Sequence, residues 1–161
     1  MRKWTRIVLF LPLLLASPSR GGDGSPLSIT SSEMTVKGRE DKVFFKGDVV
    51  IRKGDVLIKA GRAEVLLSDI GKDQGKETDL SFSAREGKEI SRIEVTQNVE
   101  LTQGNRQVMA QRGVYDAHRE EIIFTGEPEM REEGYHVKGT AITLSLKHKR
   151  SVVEGSQLTI Q

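Results

Sequence analysis

Three histidines are the first residues to ask about chemistry. His118, His136 and His148 are scattered along the chain, and none stands in an HExxH or other metal-ligand spacing. His118 and His148 sit beside turns, where an imidazole faces solvent. There is no cysteine, so a thiolate nucleophile, a thiolate metal site and a disulfide framework are all excluded. No GxxxxGK[ST] loop, no GxGxxG after a strand pattern and no GxSxG elbow occurs. Carboxylates are numerous, but they alternate with apolar residues as on the outer face of a strand, and no pair is singled out for acid–base work. The sequence therefore reads as no enzyme, with no metal and no cofactor. Its pattern lies in the apolar residues, whose chemistry is the burial of other apolar matter.

The elements that position them start from residues 43–67, VFFKGDVVIRKGDVLIKAGRAEVLL. Val43, Phe45, Val49 and Ile51 alternate before Lys53-Gly54-Asp55, and Val56, Ile58 and Ala60 alternate after it. Period two around a Gly-Asp turn predicts a hairpin with one buried face. The pattern then recurs. A shift of 50 residues carries Gly47, Val49, Ile51, Ile58 and Ala60 to Gln97, Val99, Leu101, Val108 and Ala110. A further 29 leads to Gly126, Pro128, Met130, Val137 and Gly139, and another 29 takes Gly126 to Gly155. Stepping back 29 from Ile58 reaches Ile29. Repeats of this kind decide the architecture. No window outside the first residues keeps a helical period, and residues 60–67 have Val-, Thr- and Ile-rich equivalents that favour strand. The expectation is an all-β chain.

The 161 residues suit one domain, and scarce aromatics with 16 glycines suit many short strands joined by turns. Residues 1–19 read as a signal peptide. Arg2, Lys3 and Arg6 precede a short apolar run from Ile7 to Ala16, whereas a bilayer span needs about 20 apolar residues. An uncleaved anchor is the competing reading, since Arg20 follows closely. Removing Arg2, Lys3 and Arg6 turns 25 basic against 23 acidic residues into 22 against 23, a net charge of −1. No global field then attracts nucleic acid or an anionic membrane. Residues 20–26 form a flexible leader, and 27–161 the repeat domain. Landmarks Ala60 and Gln97 lie 37 positions apart where the other units have 16, so 21 extra residues are inserted, at about 68–89. They read as a charged loop.

Downstream, Ile122 and Phe124, Tyr135 and Val137, and Ile142, Leu144 and Leu146 continue the scheme. Pro128 inside a strand run marks an edge or a bulge. One face of the strands gathers Met34, Val36, Phe45, Val49, Ile51, Ile58, Ile93, Val95, Val99, Leu101, Val108, Phe124, Met130 and Val137. Two layers lined in this way either close as a dry core or stay apart around an apolar ligand, and the residues alone leave both open. At about 0.8 kcal/mol per methylene, an acyl chain of a dozen carbons gains on the order of 10 kcal/mol before ordering costs. Basic residues near turns, among them Arg52, Lys53, Arg106, Lys147, Lys149 and Arg150, are explained equally by solvation and receive no role.

The pattern of residues 43–51 (Val-Phe-Phe-Lys-Gly-Asp-Val-Val-Ile) and 58–63 (Ile-Lys-Ala-Gly-Arg-Ala), repeated at 93–101 and 108–113, resembles the OstA-like family of periplasmic lipopolysaccharide (LPS) transport proteins typified by LptA. The resemblance spans 29–160, and it departs from the family at Gln97, where a glycine is expected, and in the long insertion. It implies an antiparallel β-jellyroll, or β-taco, of two facing sheets that hold lipid A acyl chains in an apolar groove formed by the fourteen residues above. It further implies a periplasmic location, head-to-tail homo-oligomers, and inner-membrane LptC-like and outer-membrane LptD-like partners. The first strand region (Leu27 to Val36) and the last (Ser151 to Ile160) are expected to have no covering element, leaving edges that could pair. A membrane-anchored LptC-like component is the near alternative. A structural β-repeat protein without a lipid ligand is the alternative of another class.

Overall fold

The computed structural model describes residues 25–69 and 88–160. The expected signal segment, most of the expected leader and residues 70–87 of the expected insertion lie outside them. Twelve strands follow in order: β1 (Leu27–Thr30), β2 (Glu33–Lys37), β3 (Lys42–Lys53), β4 (Val56–Asp69), β5 (Lys88–Gln103), β6 (Arg106–Asp116), β7 (Glu121–Thr125), β8 (Glu129–Glu132), β9 (Tyr135–Lys138), β10 (Ala141–Ser145), β11 (Arg150–Glu154) and β12 (Gln157–Ile160). All belong to one antiparallel sheet.

The pairing resolves into two layers. The first contains β1, residues 49–53, 56–60, 99–103 and 106–110, β8, β9 and β12. The second contains β2, residues 42–46, 62–69, 88–96 and 112–116, β7, β10 and β11. Each pass of the chain crosses from one layer to the other, and successive passes are neighbours in the sheet. The expected two facing sheets are thus halves of one sheet, creased across its middle. The regions read as single first and last strands each divide at this crease, into β1 with β2 and β11 with β12.

The crease explains the repeat. Shared positions 47, 97, 126 and 155 all have left-handed backbone: Gly47 at φ 76°, Gln97 at 70°, Gly126 at 77° and Gly155 at 58°. The next residue is also left-handed at three of them, Asp48 at 47°, Asn98 at 51° and Glu127 at 55°. Two consecutive residues in this region break the ladder register, as seen between Lys46 and Val49 and between Thr96 and Val99, and they turn the strand. Pro128 falls at this corner, and its carbonyl accepts from the Gly139 N–H at 3.2 Å.

Gln97 is accommodated by its neighbour. A Cβ on Gly61 would lie 2.8 Å from the Gln97 Cβ and 2.6 Å from its Oε1, so the side chain at 97 requires no side chain at 61. At the next corner the roles reverse: Gly126 sits against Gln111, and its added Cβ would meet the Gln111 Cβ at 2.7 Å. The departure from glycine at 97 is a compensated exchange across one corner.

Alternation then sorts the side chains. Leu101, Val108, Phe124 and Ile142 are 0% exposed between the layers. Each contributes about 1.5–3 kcal/mol relative to an exposed position. Gly113 makes room for the largest of them, since a Cβ there would stand 3.1 Å from the Phe124 ring and 3.0 Å from Val95.

Candidate functional site: the interior between the layers

The fourteen groove candidates share the inward face, but their burial differs. Phe45, Val49, Ile51, Ile58, Ile93, Val95, Val99, Leu101, Val108, Phe124 and Met130 are buried, and Val137 is packed against them half-buried. Met34 and Val36 are 54% and 59% exposed, although their register opposite Phe45 and Val43 turns them inward. Val43, Val65, Ile122, Ile142 and Leu144 also belong to the inward face. They are missing from the fourteen, although the same alternation marks them.

The middle of the interior is therefore closed by side chains, and its ends are not. At the far end Leu158 pairs opposite Val137, and Ile160 opposite Tyr135; these two are 55% and 70% exposed. Among the described residues, no strand pairs with the outer edges of β1, β2, β11 or β12. The interior also opens sideways. Leu27, Ile51, Val56, Ile58, Ile93, Val95, Tyr115, Ile122 and Leu146, with the stem of Lys53, line a narrow apolar pocket of about 20 Å³. Leu27, Tyr115 and Leu146 had no place in the sequence reading of the groove, because their contact joins strands distant in the chain.

Charges sit mainly on the outer faces and at the rims. Arg112 Nε donates to Glu94 at 2.8 Å across β5 and β6, and this bond holds the Glu94 carboxyl below its ordinary value. Lys138 Nζ donates to Glu129 at 2.6 Å, and His136 Nε2 lies 3.0 Å from the other Glu129 oxygen. The Lys138 bond, followed by the His136 bond, likewise depresses Glu129. At the insertion, Asp69 and Lys88 are direct ladder partners joined by a 2.6 Å ion pair. Asp69, followed by Asp41 at 3.1 Å, raises the Lys88 ammonium. The extra residues thus leave and re-enter at one adjacent pair. On the inward side of the first-layer rim, Arg106 meets Glu132 through two bonds of 3.0 Å. His118 and His148 are exposed at turns.

A family model described as LptA/(LptD N-terminal domain) LPS transport protein matches residues 28–160. The chain belongs to this family. LPS transport is accordingly the process in which this LptA-like protein has its role. A comparison with curated proteins finds no match. Among solved structures, the crystal structure of LptH from Pseudomonas aeruginosa superimposes with a TM-score of 0.66 at 11% identity, over 86% of this chain and 97% of that one. LptH is described as the LptA-homologous periplasmic component of the LPS transport device. At that identity the likeness concerns the fold, and it bears out the all-β chain read from the repeats and the LptA-type β-jellyroll that the resemblance implied.

Proposed function

We propose that this LptA-like protein is a periplasmic LPS carrier that holds lipid A acyl chains between its two layers. Copies or partner domains of the same fold, LptC-like at the inner membrane and LptD-like at the outer, abut at the sheet edges so that one apolar groove runs on into the next. The reading involves no catalytic step. The observation that carries it is the gradient of burial along one continuous apolar face. The same inward positions are sealed in the middle and solvent-exposed at Met34, Val36, Leu158 and Ile160. A self-sufficient sandwich core would close its ends, because exposed inward apolar side chains gain nothing in a monomer.

The middle is sealed by side chains that an entering acyl chain has to displace. The creases at 47–48, 97–98 and 126–127 lie in one line across the sheet, and opening along that line lets an acyl chain replace contacts between the layers. Each methylene then transferred from water contributes about 0.8 kcal/mol. The test is photo-crosslinking to LPS from Val36 and Phe45, whose side chains face inward, against Thr35 and Lys46, which alternate outward. Labelling is expected at the first pair. Equal labelling at all four positions would sink the groove.

A further inference from the structure

The side opening pairs its apolar pocket with a basic lip assembled from both layers. Lys53 ends β3 in the first layer, and Lys147 and Lys149 belong to the turn between β10 and β11 in the second. All three line one open cleft of about 820 Å³. Lys53, Val56, Tyr115 and Leu146 line both this cleft and the apolar pocket, so one space passes from lysines at the surface to aliphatic side chains below. Lys53 Nζ stands 6.0 Å from the Tyr115 ring centroid, which places its ammonium above the pocket.

The surrounding charges leave these lysines available. Asp55 and Glu120 are the carboxylates of the cleft, and Asp55 accepts from Gln103 Nε2 at 3.3 Å. Among the described residues, Lys53, Lys147 and Lys149 form no ion pair, whereas Lys37, Lys42, Lys88, Lys138, Arg106 and Arg112 each do. Ammonium groups bordering an apolar slot match an amphiphile with a phosphate next to its acyl chains. A compact, rotatable ammonium meets such a phosphate as a point charge.

We infer that Lys53, Lys147 and Lys149 form a phosphate-binding lip. It holds the phosphorylated headgroup of the lipid whose chains enter the pocket beneath, and so fixes that lipid with its head at the side opening. This inference rests on the carrier reading and adds the headgroup contact and its position. The test uses the full mature protein and two probes, diphosphoryl lipid A and the same lipid A with both phosphates removed. Binding is measured at low and high salt. The lip variant is Lys53→Gln/Lys147→Gln/Lys149→Gln, and the control is Lys46→Gln/Lys59→Gln/Arg62→Gln on the outer face.

The lip variant is expected to lose roughly fivefold in affinity for the diphosphoryl form per lysine removed, and most of its salt dependence. It should bind the dephosphorylated form like wild type, which also shows that it is folded. The control should bind both probes like wild type. Equal weakening in both variants, or no weakening in the lip variant, overturns the lip and leaves the carrier reading standing. Wild-type protein that binds neither probe overturns both.

Discussion

At the scale of single residues, the exchange at the crease is the sharpest test of the fold. Gly61→Ala forces a Cβ against Gln97 at 2.8 Å. Overpacking of this kind typically costs about 1–3 kcal/mol, readable as a lower urea midpoint. Gln97→Gly, which relieves a left-handed backbone at φ 70°, should stay within about 1 kcal/mol of wild type. In the Gly61→Ala background it should recover most of the loss. Simple additivity of the two changes would refute the exchange. Phe124→Ala is a different case, because the ring is fully enclosed beside Gly113. A loss of about 3–5 kcal/mol is expected, and a much smaller value would mean that the layers collapse onto the space. The sequence displayed Gln97 only as a departure from its repeat. Its partner Gly61 lies on the adjacent strand across a long insertion, so no linear pattern could join the two.

At the scale of elements, the strands and their order were legible because two signals agreed. Period-two alternation marked the faces, and the offsets of 50 and 29 marked the corners, which are left-handed at 47, 97, 126 and 155. The degree of closure was not legible. Val99 and Val36 look alike in sequence, yet one is enclosed by strands on both sides and the other lies at an edge. The proposed lysine lip was equally hidden, since Lys53 and Lys149 come to line one cleft only after the sheet is creased. Cross-strand charges add a pH dependence with a defined sign. Glu94 and Glu129 have folded values below the ordinary 4.5, so their contribution is present above it and fades as pH falls through those lower values. Lys88 is raised above 10.5, and its contribution is present below that value and fades as pH climbs through the raised one. Urea midpoints should be level between these limits and fall outside them. Glu129→Gln should remove some of the acid limb. An unchanged acid limb would show that the β8–β9 charges do not couple to folding.

At the scale of the whole molecule, the edges dominate. β2 and β12 are exposed along their entire length, with hydrophobic residues facing inward at both. Different edges meeting in one direction give a contact that propagates instead of closing. Light scattering should show mass rising with concentration. Leu158→Pro, which removes a donor and distorts β12, should hold the protein monomeric with its strand content intact. A wild-type monomer at high concentration would argue against edge pairing.

The uninterrupted up-and-down order of the passes has a mechanical corollary. Leu27 and Ile160 belong to opposite margins of the sheet, and each pass of the chain is bonded only to the pass before it and the pass after it. Tension applied between the termini runs across the rows of backbone bonds, which then give way singly and in succession, like the teeth of a zip. The span proposed above, if built of such units, would bear shear along its strands far better than stretch, so its length would have to match the gap it crosses.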